Sequence, residues 1–138
     1  MGRMERKLIN PPELGGHSGY SNGVLAPPGA RLLFVAGQVA WDREHRLVGG
    51  DNFAQQFGQA LRNVAAVVSA AGGRPEHVVE LTIFVTDKQR YMSDLRGVGD
   101  AYRGVFGRHY PAMALVEVKG LIEPGAQVEI RGVAAIPS

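Results

Sequence analysis

The sequence has no cysteine. That single absence removes disulfides, zinc–thiolate centres and a cysteine nucleophile. It fits a reducing compartment, and the expected location is cytoplasmic. Aromatic residues make up only 7% of the chain. Nowhere do they interleave with basic residues into a strip on which nucleic-acid bases would stack, so no nucleic-acid partner is expected. No apolar run approaches the ~20 residues that a membrane span needs. The opening stretch MGRMERKLINPPELGG is charged and lacks an apolar core, so it does not read as a secretory signal. Arg6 breaks the myristoylation pattern.

Charge of one sign is missing too. Fifteen basic and thirteen acidic side chains are interspersed, for a net charge of +2. Such a surface has no long-range pull toward an acidic or basic partner. His17, His45, His77 and His109 are scattered without metal-ligand spacing and read as surface or cap residues. The Gly-rich GGHSGYSNG lacks the Lys-Ser/Thr of a phosphate loop and a strand before it. No serine sits in a nucleophile elbow.

What is present is periodicity. The length of 138 residues suits one domain, and a 45% hydrophobic share suits a packed core. Residues 1–18 are polar and rich in Pro and Gly, and read as an N-terminal arm; residues 19–138 read as the domain itself. A short strand is expected over 20–25. Residues 31–40, RLLFVAGQVA, are apolar on both faces of a strand, so both faces need cover. Residues 42–50 read as a turn region. A helix over 51–71 places Phe53, Phe57, Ala60, Leu61, Val64, Val67, Val68 and Ala71 on one stripe, with Asp51 as N-cap. Residues 77–86, HVVELTIFVT, form the next strand, which makes a right-handed parallel βαβ unit.

Tyr91, Leu95, Val98, Tyr102, Val105 and Phe106 outline a second helix, interrupted at Gly97 and Gly99 and stopped by Pro111. Residues 110–134, YPAMALVEVKGLIEPGAQVEIRGVA, read as a β-hairpin with strands over 112–119 and 127–134. The fold class is therefore α+β: a mixed β-sheet with two helices packed on one face. The helix-free face is expected to receive Val35 or Phe34, Val78 or Val79, and Leu115. A patch of that size is more than a soluble monomer exposes, so self-association through it is expected, with identical clefts between neighbouring copies.

Six pieces carry a resemblance: Tyr20, AGQVAWD (36–42), QALRNVAAVVSAAG (59–72), VELTIFVTD (79–87), PAMALVEV (111–118) and VEIRGVA (128–134). In this order they resemble the YjgF/RidA/UK114 (Rid) family. The resemblance implies a chorismate-mutase-like sandwich, a homotrimer with small-molecule clefts at its interfaces, and no metal or cofactor. It implies hydrolytic deamination of reactive imines or enamines; RNA cleavage has also been attached to some relatives. Glu129 matches the acid that holds the hydrolytic water, and Tyr20, Gly37, Gln38, Met113 and Leu115 are the implied substrate-binding residues. Met113 stands where the family has its carboxylate-binding arginine, and Gly99 where it often has asparagine.

Each of these residues has a plainer reading. Glu129 is either a water-orienting acid or half of an ion pair with Arg131 or Lys119. Glu117 is a structural or interface acid. Tyr20 and Met113 either meet a ligand or only pack, and Gly37-Gln38 either offers backbone amides to a ligand or marks a β-bulge. With methionine at 113 the expected ligand is neutral or more apolar than a 2-imino acid. Two functions follow: a deaminase of altered preference, or a non-catalytic small-molecule binder or sensor on the same scaffold.

Overall fold

The structure, a computed structural model, describes residues 6–138. Two short strands, β1 (Lys7–Ile9) and β2 (Gly23–Leu25), pair antiparallel with each other. The main sheet holds β3 (Arg31–Gln38), β4 (Val78–Val85), β5 (Ala112–Glu117) and β6 (Val128–Ile136) in the order β3-β6-β4-β5. Helices α1 (Phe53–Ala70), α2 (Lys88–Met92) and α3 (Leu95–Phe106) supply the second layer. Among the described residues, no helix is long and apolar enough to cross a membrane.

The expected parallel βαβ relation of β3 and β4 is present, because both strands run antiparallel to β6. The expected hairpin is not. β5 pairs parallel with β4 at the sheet edge, while β6 inserts between β3 and β4. The burial of the two strands explains the exchange. Val128, Ile130, Gly132, Ala134, Ala135 and Ile136 of β6 are buried, as a central strand requires, whereas Ala114, Val116 and Glu117 of β5 stay exposed. The connection over 118–127 is also longer than the roughly two to five residues of a hairpin loop. It crosses the end of β4, tied there by Val118 N–H to Val85 O (2.8 Å) and Thr86 N–H to Gln127 O (3.1 Å).

The apolar stripe of α1 lies as its spacing demands, with Phe53, Phe57, Ala60, Leu61, Val64 and Val68 buried. Its N-cap is Asn52 rather than Asp51: the Asn52 Oδ1 accepts from Gln55 N–H at 3.0 Å. The Asp51 carbonyl instead accepts from Arg90 and Gln127. The second helix breaks before its glycines, not at them. Asp94 caps α3 by accepting from Gly97 N–H at 3.0 Å. A Cβ at Gly97 would come within 2.8 Å of the Asp94 Cγ, so the glycine leaves room for the cap.

Helices cover one face only. Leu81, Ile83, Val85, Val128 and Ile130 meet Phe57, Leu61, Val64 and Val98 there in one buried cluster. On the other face Leu32 is 59%, Phe34 72% and Val116 43% exposed. Of the alternatives expected on that bare face, Phe34 lies there and Val35 does not; Val78 and Leu115 also belong to the helix side. Leu115 lies opposite buried Ile83 in the β4–β5 register, and period-two alternation then sets its direction.

One buried polar side chain ties the loops together. Gln56 donates to Gly50 O (2.7 Å) and Gly125 O (3.0 Å) and accepts from Gln127 N–H (2.9 Å). Gln56→Leu keeps the volume but orphans these three backbone groups. At roughly 1–3 kcal/mol per buried orphan, the expected loss is about 3 kcal/mol, read from urea unfolding with an unchanged m-value.

Candidate functional site

The chain holds two groups of polar and apolar side chains on opposite faces of the main sheet. The first is a cleft of about 440 Å³ between β5 and the helices α2 and α3. Tyr20 is brought to its rim by Ser21, whose N–H bonds Pro111 O (3.1 Å) and whose Oγ donates to Tyr110 O (2.6 Å). Met113 and Leu115 point into it from β5, in register with Leu81 and Ile83. The rings of Tyr102 and Tyr110 stack at 5.2 Å and 7° along its wall. The Tyr102 hydroxyl donates to His109 O at 2.5 Å. Burial, with the neighbouring Tyr110, pushes the Tyr102 phenol well above its ordinary value, so it remains a donor and is no base.

The second group is on the bare face. In the β3–β6 ladder Val35 pairs with Gly132 and Gln38 with Ile130, so Ala36 and Gly37 together oppose Arg131. That is a β-bulge of two residues against one. A Cβ at Gly37 would collide with the Glu129 carboxylate, whose Cδ would be only 2.8 Å away. Glycine thus lets the carboxylate lie against the backbone of β3. Gln38 folds back across the bulge and donates from Nε2 to Ala36 O at 3.0 Å. Glu129 enters none of the ion pairs among the described residues.

Tyr20, Met113 and Leu115 are therefore together, and so are Gly37 and Glu129, but one chain does not unite the two sets; Gln38, opposite Ile130, falls on the helix side beside Asn63 and Ala66 and joins neither. Met113 lies opposite Leu81, which is opposite Gly132 on the helix face; Glu129 is an odd number of residues away along β6 and faces the other way. Glu117 plays a structural part, since its Oε2 accepts from Lys88 N–H at 2.9 Å and starts α2. Among the described residues, no three His, Asp or Glu side chains cluster closely enough to share a metal ion.

The profile of the Endoribonuclease L-PSP family matches residues 13–136. The chain belongs to this family, the YjgF/RidA/UK114 or Rid family. The human protein named 2-iminobutanoate/2-iminopropanoate deaminase is 29% identical over 97% of this chain and 93% of its own. The RutC family protein y4sK of Sinorhizobium fredii is 36% identical over 76% of this chain and 79% of its own. The crystal structure of YyfB from Yersinia pestis, described as a Rid protein of unknown function, superposes with a TM-score of 0.82 at 30% identity. It covers 96% of this chain and all of that one.

Two residues of this Rid protein escape a reading of the sequence alone. Arg103 is the one charged side chain among the described residues lining the cleft, and its Nη2 donates to Asp100 Oδ1 at 2.7 Å. That hydrogen bond, joined by Tyr110, raises the guanidinium pKa further. The available signal is its position four residues after Gly99, on the same side of the helix.

His109, expected at the surface, is buried. Its Nε2–H donates to Val78 O at 2.7 Å, and its Nδ1 accepts from Arg6 at 3.1 Å. The partners come from β4 and from the segment just before β1, both far from His109 in sequence, which sequence spacing does not reveal. Burial lowers its pKa below 6.5 against the bond to Val78, and Arg6 adds to the lowering; Glu76 pulls the other way, and His77 lowers it further. The unfolded chain then binds more protons than the folded one below pH 6.5. Stability is whole above that pH and is lost as pH falls through the lower folded value. Denaturation at pH 5.5 should therefore give a lower midpoint than at pH 7.5, and His109→Gln should narrow the gap.

Proposed function

We propose that this Rid protein releases ammonia from a small reactive imine or enamine, in clefts completed by neighbouring copies of the chain. The observation that carries the reading is the Glu129 carboxylate, laid against Gly37 on the exposed apolar face and in none of the ion pairs among the described residues. The name of the human relative, an iminobutanoate and iminopropanoate deaminase, agrees with it. Two half-sites on opposite faces suit an assembly in which the bare face of one copy packs near the β5 edge of the next. Such packing unites Glu129 and Gly37 of one copy with Tyr20, Met113 and Leu115 of another. The Rid resemblance makes that assembly a trimer, and the lack of cysteine agrees with a cytoplasmic setting.

The chemistry follows from the acid. An imine carbon is electrophilic. Glu129 orients a water molecule and takes its proton as the oxygen adds to the C=N carbon. Glu129 passes that proton to the nitrogen, giving a neutral carbinolamine. It then takes the hydroxyl proton as the C=O bond forms and delivers it to the nitrogen, which leaves with its bonding pair as ammonia, so the carbonyl product and the free carboxylate remain. Met113 and Leu115 form an apolar wall that favours a substrate with an apolar body.

Glu129→Ala should slow ammonia release from freshly generated imines about 100-fold or more, the usual range for a lost general base. Equal rates in the two proteins would end this reading. The apolar Met113 favours a second one, a binder or sensor without turnover. Saturable ligand stabilisation in a thermal-shift assay, with no ammonia released by the unmodified protein, would select it.

The interface has its own test. Phe34, 72% exposed in the isolated chain, becomes buried in the proposed assembly. Phe34→Asp should turn the sedimentation profile at micromolar concentration from trimer toward monomer. A variant that sediments like the unmodified protein would show that this face is not the interface.

A further inference from the structure

We infer that Arg103 is the anion-recognising group of the cleft, which then takes a small ligand with a carboxylate head and an apolar or aromatic body. The inference rests on reading the cleft as the ligand site, and it replaces the neutral ligand expected from Met113.

Arg103 is the sole charge among the described residues that line the cleft. The rest of the wall is tyrosine, aliphatic side chain and backbone, including Tyr20, Tyr110, Met113 and Leu115. An anion entering that wall meets one complementary group. The guanidinium is held in place by Asp100, three residues before it, through Nη2 at 2.7 Å. A guanidinium has five N–H donors in a planar fork, so bonds to Asp100 and Tyr110 leave donors free for a carboxylate.

Gly99 is the second observation. A Cβ there would be 3.1 Å from the Arg103 Nη1 and 3.4 Å from Nη2, tighter than ordinary contact. The glycine vacates the volume along α3 that the guanidinium occupies. A Cβ at 99 would crowd the guanidinium, which would have to shift by a few tenths of an ångström. Asp100 is 66% exposed and Arg103 44%, so the pair is solvated in the single chain and the cation is not neutralised by burial. The stacked Tyr102 and Tyr110 provide a flat wall against which a ring or branched apolar body packs.

The test uses benzoate, with benzamide as its uncharged isostere, titrated by calorimetry into the full chain and into Arg103→Met and Arg103→Lys. The expected result is a preference of the unmodified protein for benzoate of about tenfold, the scale of a charge-assisted hydrogen bond competing with Asp100. Arg103→Met should abolish the preference by weakening benzoate about tenfold more than benzamide, and Arg103→Lys should keep part of it. An equal preference in the unmodified protein and Arg103→Met overturns the inference. So does an absence of saturable benzoate binding by the unmodified protein. Selectivity that depends on Arg103 while Glu129→Ala leaves ammonia release unchanged removes the hydrolase reading and keeps this one. Ammonia release that depends on Glu129, with selectivity indifferent to Arg103, does the reverse.

Discussion

The side-chain alternation of the four-stranded sheet governs everything else in this molecule. Successive residues of a strand face opposite ways, and hydrogen-bonded register carries that parity from β3 through β6 and β4 to β5. One parity class, with Val35, Leu81, Ile83, Ile130 and Leu115, meets the helices. The other class, with Phe34, Val116 and Glu129, faces away from them. A one-residue slip would exchange the two sets, moving an acid into the core and an aliphatic cluster into water. The β3 bulge is the local exception. It adds a residue without reversing the rest of the strand, and it is the place where the Glu129 carboxylate comes to rest beside Gly37.

Two buried polar side chains hold the irregular segments to this layered frame. Gln56 uses both ends of its amide on loop and strand backbone, joining the entry of α1 to the start of β6. His109 joins the end of α3 to the start of β4, and its carbonyl receives the Tyr102 hydroxyl. The cleft wall therefore inherits its rigidity from groups outside the cleft. The charged residues of the chain have a different role. Its ion pairs, such as Arg46 with Asp42 and Arg103 with Asp100, are exposed and orient side chains more than they stabilise the fold.

Several features are legible along the chain because their causes are local. The stripe on α1 and the β-branched run of β4 each need only a few neighbouring residues to be read, whereas α3 ends before the expected stop at Pro111, at Phe106, where Gly107 takes a φ of 61° as the C-cap. The faces of Met113, Leu115 and Glu117 relative to one another follow from alternation alone. The expected cap of α1 misses by one position because Asp51 and Asn52 are both good caps, and the contacts of Arg90 and Gln127 with the Asp51 carbonyl come from distant elements. Glycines suggest the wrong break between α2 and α3, because Asp94 offers a better reason to begin a new helix than Gly97 offers to end one. The hairpin fails for a plainer cause: two consecutive strands with a turn between them look alike whether they pair with each other or with a third.

The amino-acid order by itself determined the element types, the α+β class and the Rid family, since periodicity, caps and motif strings are properties of contiguous residues. It also pointed to an apolar helix-free sheet face, where Leu32, Phe34 and Val116 are exposed. Only the tertiary structure decided that β6 runs through the middle of the sheet, that Glu129 and Met113 face opposite ways, and that Arg103 borders the cleft beside Gly99. Those facts depend on which strand takes which neighbour's hydrogen bonds, a choice made by burial summed over residues far apart in the chain.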